Sequence, residues 1–130
     1  MDDRVKYWTD IADEDLSVAK HLIDGNKFLH TVFMCHQAVE KTLKAVIARD
    51  CGKGEVPPKT HNLSKLAIFA NLLDQMTEEQ QDFIDDLNPY NVEARYPEYK
   101  NRMAAALSKD ICEKIISDTE GLLCWIKRRL

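Results

Sequence analysis

Glycine and proline are scarce in this sequence, and nothing in it is typical of a membrane protein. Only four of each occur among 130 residues, which indicates long helices joined by short connections. No apolar run approaches the roughly 20 residues that a membrane-spanning helix requires. The first residues, Met1-Asp2-Asp3, are acidic and unlike a signal peptide. We therefore expect a cytoplasmic protein with a single domain over residues 1–130.

The four cysteines lack the paired spacing of a zinc site or a redox motif. They stand at positions 35, 51, 112 and 124, and three of them fall within predicted helices, where a thiol is usually a small buried apolar group. No histidine follows a glutamate at the Glu-x-x-His spacing of di-iron bundles, and there is no glycine-rich phosphate loop. We predict reduced cysteines, no metal site and no cofactor.

Basic residues are absent from the middle of the chain. The net charge is −4, but the stretch between Lys65 and Arg95 contains no lysine or arginine and seven acidic residues, which are Asp74, Glu78, Glu79, Asp82, Asp85, Asp86 and Glu93. Such a surface repels a phosphate backbone. We expect any anionic ligand to bind near the second helix or the last third of the chain.

Apolar residues recur at helical spacing along most of the chain, and no strand pattern is visible. Thr60 is a predicted N-cap, Thr77 forms a predicted capping box with Gln80, and Ser108 is predicted to cap the last helix. The predicted helices span about Asp3–Asp24, Lys27–Asp50, Thr60–Leu73, Thr77–Leu87 and Ser108–Leu130, with an irregular stretch over 92–99 and a short helix or loop over 100–107. The fold class is all-α, an up-and-down antiparallel bundle of about five helices.

The second predicted helix has an apolar face and a polar face beside it. Its apolar stripe consists of Cys35, Ala38, Val39, Thr42, Leu43, Val46 and Ile47, as expected of a helix that faces a core. Its polar residues stand three, four and seven positions apart on the adjacent face, and they are Gln37, Glu40, Lys41 and Lys44. The helix therefore combines core packing with a polar cluster.

Three short motifs follow one another on this helical background. They are Gln37-Ala38-Val39-Glu40-Lys41-Thr42-Leu43-Lys44-Ala45, Thr60-His61-Asn62-Leu63 and Ala94-Arg95-Tyr96-Pro97. In this order the sequence resembles the HEPN domain family along nearly its whole length. The resemblance implies a helical bundle similar to the C-terminal domain of aminoglycoside nucleotidyltransferases, often a homodimer. It also implies a minimal nucleotidyltransferase as partner in a toxin–antitoxin-like module, and an activity of nucleotide binding or metal-independent RNA cleavage.

Ribonucleases of this family carry an arginine that is followed, after four to six residues, by a histidine near the last helix. Neither Arg95 nor Arg102 has a histidine at that spacing, and no histidine occurs after His61. The sequence departs from the ribonuclease pattern, so we predict that the protein is not a catalyst by the usual route of the family.

The candidate nucleotide-binding residues are Gln37, Glu40, Lys41, Lys44, His61, Arg95 and Tyr96. In this interpretation the lysines and Arg95 hold phosphate, His61 orients it, and Tyr96 packs against the base or sugar. The structural alternative is that Glu40 neutralises Arg95 or a lysine and pins the Arg-Tyr-Pro segment onto the second helix. Both interpretations predict contact between that helix and the loop around Arg95.

The remaining aromatic and imidazole side chains leave alternatives open. His61 either fixes the start of the third helix by a local hydrogen bond or faces a ligand at that helix N-terminus. His36 is predicted to pack in the core or an interface. Tyr90, Tyr96 and Tyr99 either stack on a base or cover one end of the bundle.

From these observations we predict a non-catalytic HEPN protein that binds a nucleotide, a minimal nucleotidyltransferase partner or both, and that forms a homodimer. The first alternative is a metal-independent ribonuclease toxin with an atypical pair such as Arg95 and His61. The second is a dimeric assembly module without a ligand. RNA is not the favoured ligand, and no association with a membrane is expected.

Overall fold

The chain folds into a bundle of helices in which no strand occurs among the described residues. A computed structural model describes residues 2–51, 55–91 and 96–130. Its helices are α1 (Asp3–Asp24), α2 (Phe28–Asp50), α3 (Leu63–Phe69), α4 (Glu78–Leu87), α5 (Pro97–Ala105) and α6 (Lys109–Lys127), with 3₁₀ turns at Leu73–Gln75 and Asn88–Tyr90. The all-α fold class is confirmed, and the described residues contain six α-helices rather than the predicted five or so.

Helix α2 lies at the centre of the bundle and packs against α1, α3, α5 and α6. Its predicted apolar stripe is buried throughout. The hydroxyls of Thr31 and Thr42 donate to carbonyl oxygens one turn earlier, at 2.9 and 2.8 Å, so these buried polar groups are satisfied within the helix. The polar residues His36, Glu40 and Lys44 are also buried, which places charged groups in the interior.

Helices α1 and α2 form an antiparallel hairpin. The short connection between them contains Asn26, whose φ of 58° is left-handed, whereas Gly25 has a φ of −92°. The predicted end of the first helix is confirmed, and the asparagine supplies the left-handed residue that reverses the chain. The hairpin places Trp8 and Asp15 of α1 beside the polar residues of α2.

The N-cap of α3 differs from the predicted one. It is Asn62, whose Oδ1 accepts the backbone N–H of Lys65 at 3.0 Å. Thr60 instead accepts the N–H of Asn62 on its Oγ1 at 3.1 Å. The prediction of Thr60 as the cap was wrong, because the threonine forms a local turn that precedes the helix. Asn62 is the residue whose side chain accepts a hydrogen bond from the first turn of α3.

Other helix boundaries also differ from those predicted, and α6 ends at Lys127 instead of Leu130. Helix α3 ends at Phe69 instead of Leu73, because Asn71 adopts a left-handed φ of 58° and stops it. Helix α5 begins at Pro97, within the stretch predicted to be irregular, since proline fits the first turn of a helix. Residues 92–95 of that stretch lie outside the described residues.

The caps of α4 and α6 are confirmed. The backbone N–H of Thr77 donates to the side chain of Gln80 at 2.9 Å, and the N–H of Gln80 donates to the Thr77 hydroxyl at 3.1 Å. The Ser108 hydroxyl accepts the N–H of Ile111 at 3.2 Å. These hydrogen bonds are exposed, so local contacts suffice to define both helix starts.

All four cysteines are free thiols. Burial raises the pKa of the Cys35 thiol to about 12, so this cysteine remains protonated and unreactive at neutral pH. Among the helices of the described ranges, none is long and apolar enough to cross a membrane.

We predict that Asn62→Ala lowers the free energy of unfolding by about 1–2 kcal/mol, because the cap of α3 is lost. Thr60→Ala is the matched control and should cost less, since its hydroxyl holds only a turn. Urea unfolding followed by helical circular dichroism measures both losses. A larger loss for Thr60→Ala than for Asn62→Ala would contradict the assignment of the cap.

Candidate functional site

The candidate site is organised by Glu40, a carboxylate on α2 that is only 1% exposed. Its Oε2 accepts a hydrogen bond from Lys44 Nζ at 2.9 Å, one helical turn further along. Its Oε1 lies 3.0 Å from Nδ1 of His61, which follows the loop before α3. One carboxylate therefore holds both a buried ammonium and an imidazole from another part of the chain.

The ammonium of Lys44 is enclosed together with Glu40. Lys44 is 7% exposed, and its Nζ lies 5.7 Å from the ring centroid of Trp8 on α1. The ring face attracts the cation, while the aliphatic stem packs in the interior. The charge of Lys44 is thus neutralised inside the bundle.

Two opposing effects act on the pKa of Glu40. Burial alone raises this pKa, because an apolar environment disfavours the carboxylate. The hydrogen bond and charge of Lys44, together with the hydrogen bond of His61, outweigh burial and hold the pKa of Glu40 below its ordinary value. The carboxylate is therefore ionised at neutral pH and accepts a hydrogen bond from an Nδ1–H of His61.

A second ion pair lies beside the first. Nζ of Lys41 donates to Oε1 of Gln37 at 2.7 Å and lies 3.8 Å from Oδ2 of Asp15 on α1. Burial raises the pKa of Asp15, and the charge of Lys41 partly opposes this rise. Lys41 is therefore occupied within the fold, as is Lys44.

His36 extends the polar cluster into the core. Oε1 of Gln37 accepts a hydrogen bond from Lys41. The other polar atom of the Gln37 amide, Nε2, therefore faces Nδ1 of His36 at 3.4 Å. Burial lowers the pKa of His36 to about 4, so the ring is neutral, with Nδ1 as acceptor and the proton on Nε2. Nε2 is buried and has no hydrogen-bond partner among the described residues. The prediction that His36 packs in the core is confirmed.

A cavity of about 390 Å³ opens next to His61. Its described lining consists of His61, Asn62, Asn88, Pro89, Asn91 and Tyr99. The side chain of His61 is exposed. Within the described ranges, its one hydrogen bond runs from Nδ1 to Oε1 of Glu40. The free Nε2 edge of an imidazole whose orientation is fixed thus stands beside amides and an aromatic ring.

Five of the seven predicted site residues lie together in two neighbouring groups, in which Lys41 is bonded to Gln37, and Glu40 to Lys44 and His61. His36 lies between the groups, with its Nδ1 3.4 Å from the Gln37 amide and 3.9 Å from Oε1 of Glu40, and the second distance is too long for a hydrogen bond. Tyr96 is 81% exposed and precedes α5, whereas Tyr99 lines the cavity. Arg95 lies outside the described residues. The predicted contact between α2 and the loop around Arg95 therefore stays a prediction.

Some residues of the site could not be identified from the sequence. Trp8 fits the apolar stripe of α1, and Asp15 has no motif around it. Asn88 and Asn91 were not among the predicted site residues, although Oδ1 of Asn88 accepts the N–H of Leu63 at 2.8 Å and fixes the cavity wall. Asparagines that flank a proline break were the available signal for the cavity.

The donor set of this site is nitrogen-rich and already hydrogen-bonded. In the part of the chain that the structure describes, no group of three or more histidine, cysteine, aspartate or glutamate side chains could hold a metal ion. The arrangement offers an oriented imidazole, amide groups and an aromatic ring. These groups suit recognition of a polar ligand or transfer of a proton.

The HEPN domain profile matches residues 5–130 of this sequence, which is nearly its whole length. The chain belongs to the HEPN family. This finding agrees with the three motifs on α2, before α3 and before α5. No curated protein matches the chain.

Two crystal structures are similar to this HEPN chain. TT1696 from Thermus thermophilus aligns with a TM-score of 0.79 at 20% identity, covering 98% of each chain. ST0689, an archaeal HEPN homologue, aligns with a TM-score of 0.71 at 21% identity, covering 99% of this chain and 98% of the other. At these identities the likeness establishes a common fold.

Acid should destabilise this HEPN protein through His36. The pKa of His36 falls from 6.5 in a free side chain to about 4 in the fold. Between these pH values the unfolded state binds more protons, so the free energy of unfolding decreases as the pH is lowered. The loss due to His36 should be about 2 kcal/mol between pH 7 and pH 5.

The variant His36→Leu should lack this part of the acid sensitivity. Exposed His30 provides the matched control, since His30→Leu removes a histidine without removing a buried one. Urea unfolding at pH 7 and pH 5 measures the difference for each protein. If His36→Leu and the wild type lose equal stability, the assignment of His36 as a buried neutral group is wrong.

Proposed function

We propose that this HEPN protein is a non-catalytic binding protein whose ligand is a nucleotide held at the cavity beside His61. The proposal depends on one observation, the 3.0 Å contact between the buried Glu40 carboxylate and the exposed imidazole of His61. Fixing an exposed side chain costs conformational entropy and adds little packing. A fixed imidazole at the edge of a cavity is typical of a group that meets a ligand.

The chemistry of the cavity supports a nucleotide as the ligand class. A volume of about 390 Å³ is within the range of small-molecule sites, about 300–1,000 Å³. Tyr99, whose ring centroid lies 5.6 Å from the Arg102 guanidinium, gives the cavity an aromatic wall, and the amides of Asn62 and Asn91 can hydrogen-bond to base edges. A phosphate oxygen would meet His61 at its Nε2 edge, which faces the cavity.

The polar residues of α2 take a different role in this proposal from the one predicted for them. Lys44 is paired with Glu40 and Lys41 with Gln37 and Asp15, so neither ammonium is free for phosphate. We assign these residues to the support of Glu40, and through it of His61. Any contribution of Arg95 or Tyr96 to phosphate or base binding remains a prediction from the sequence.

The proposal retains the partners implied by family resemblance. A minimal nucleotidyltransferase would bind this chain in a toxin–antitoxin-like module, and the HEPN chain would itself be a homodimer. Light scattering of the purified protein tests dimer formation, and co-purification with a nucleotidyltransferase encoded next to it tests the complex. A dimer that binds the transferase but no nucleotide would favour the assembly module instead.

We predict that calorimetry detects binding of ATP, GTP, AMP or GMP to the wild type. The variant His61→Ala should weaken that binding at least about tenfold, since one charge-assisted hydrogen bond is lost. Exposed His30→Ala is the matched control and should bind as the wild type does. The absence of heat with all four nucleotides would contradict the proposed ligand class.

Metal-independent RNA cleavage is a second candidate function, and the same contact supports it. A carboxylate that orients an imidazole is a general acid–base arrangement in enzymes that act without a metal. The family's ribonuclease motif is missing, so His61 and Glu40 would have to replace it. Nuclease activity therefore ranks below nucleotide binding.

Incubation of the purified protein with RNA in EDTA distinguishes the two candidates. A non-catalytic protein should leave the RNA intact. Cleavage that is abolished by His61→Ala and reduced at least about tenfold by Glu40→Gln would establish the second candidate. Arg95→Ala tests in the same assay whether Arg95 takes part, as the atypical pair predicts.

A further inference from the structure

A groove lies between α4 and α6, and we call it the α4–α6 groove. It has a volume of about 1080 Å³, and its lining includes Phe83, Leu107, Ile111, Ile115 and Trp125. No described residue of the His61 cavity contributes to it. This volume is at the upper limit of small-molecule sites, about 300–1,000 Å³, and suits a peptide segment.

Helix α6 has one wide apolar stripe. Its centre is buried in the core and consists of Cys112, Ile116, Thr119, Leu123 and Ile126. The edge that borders the groove consists of Ile111, Ile115, Leu122 and Trp125. Of these, Leu122 is buried, Ile115 and Trp125 are partly buried, and Ile111 is 44% exposed. Apolar groups that stay partly accessible along an open groove offer a partner a surface to cover.

Gly121 on α6 also lines the groove. A glycine in a helix interior lowers the stability of the helix by about 1 kcal/mol relative to alanine. No contact among the described residues requires a glycine at this position. A Cβ built on Gly121 would have no heavy atom within 4 Å among the described residues. The glycine therefore leaves room in the groove, where the backbone of another helix could approach α6 closely.

Trp125 is a preformed anchor at one end of the groove. The guanidinium of Arg129 lies 3.5 Å from its ring centroid, and Nη1 of Arg129 donates to the Trp125 carbonyl at 2.9 Å. An aromatic side chain held in place in this way loses little entropy when a partner binds. Such aromatic anchors dominate many interfaces.

The charges around the groove select the kind of partner. The α4 wall presents the exposed carboxylates of Glu79, Asp82 and Asp86, and α4 contains no lysine or arginine. On the α6 side Lys114 is paired with Asp118 at 2.8 Å, and Arg128 also lines the groove. The α4 side therefore carries a net negative charge that attracts a cationic partner and repels nucleic acid.

We propose that the α4–α6 groove binds an amphipathic helix of a partner protein, whose apolar stripe packs on α6 and whose lysines or arginines face α4. The stretch from Ile111 to Trp125 is about 21 Å long at about 1.5 Å per residue, which matches a partner helix of about 14 residues. This binding is independent of the nucleotide site. A second copy of this chain is a weaker candidate, because the exposed charges of α6 include both signs and would not match the acidic wall.

Three synthetic peptides of about 18 residues test the proposal. The first is an amphipathic helix with leucines on one face and lysines beside it, the second has glutamates in place of the lysines, and the third is a scrambled form of the first. We expect the full chain to bind the first peptide at least about tenfold more tightly than the other two, with weaker binding at high salt. Fluorescence anisotropy of labelled peptides measures the affinities. Equal affinity for the lysine and glutamate peptides would overturn the proposal, as would no binding of the lysine peptide.

Two variants locate the binding surface. Gly121→Leu fills open space in the groove. It should weaken binding of the lysine peptide at least about tenfold while preserving the helical circular dichroism. Asp82→Lys should weaken binding of the lysine peptide and strengthen binding of the glutamate peptide. Glu113→Lys is the matched control, because Glu113 lies on α6 outside the groove, and this variant should bind both peptides as the wild type does. Unchanged binding in Gly121→Leu would overturn the proposal. Conversion of a dimer to a monomer by Gly121→Leu would also overturn it, by assigning the groove to a second copy.

Discussion

The burial of one ionised carboxylate constrains the arrangement of three parts of this bundle. An isolated carboxylate in a protein interior costs several kcal/mol, which only close and well-oriented partners can offset. For Glu40 these partners are Lys44 on the same helix and His61 at the start of α3. Trp8 of α1 in turn encloses the lysine. The positions of α1, α2 and α3 are thereby coupled through a single side chain.

Charge neutralisation within the bundle determines which groups remain available to a ligand. The ammonium groups of Lys41 and Lys44 are occupied by Asp15, Gln37 and Glu40, so the polar face of α2 supports the site from within. The group that this network presents to the cavity is the imidazole of His61. We therefore propose ligand binding for the oriented imidazole of His61 and its neighbours in the cavity, and a structural role for Lys41 and Lys44.

The His61 cavity and the α4–α6 groove differ in the ligands that their chemistry suits. The cavity at His61 has amides and an aromatic ring and suits a small polar ligand. The α4–α6 groove has apolar side chains along α6 and carboxylates along α4, and suits a basic amphipathic helix. Since the groove shares no described residue with the His61 cavity, a nucleotide and a partner could bind without direct competition.

The sequence by itself determined the all-α class, the apolar stripe of α2 and the caps of α4 and α6, because helical periodicity and capping depend on residues a few positions apart. It also grouped Glu40 with His61, through family resemblance. Only the tertiary structure decided that Asp15 neutralises Lys41 and that the tyrosine at the cavity is Tyr99. Those contacts depend on how far one helix is displaced along another and on the path of the loops. Packing of the entire core sets both, and no local pattern records them.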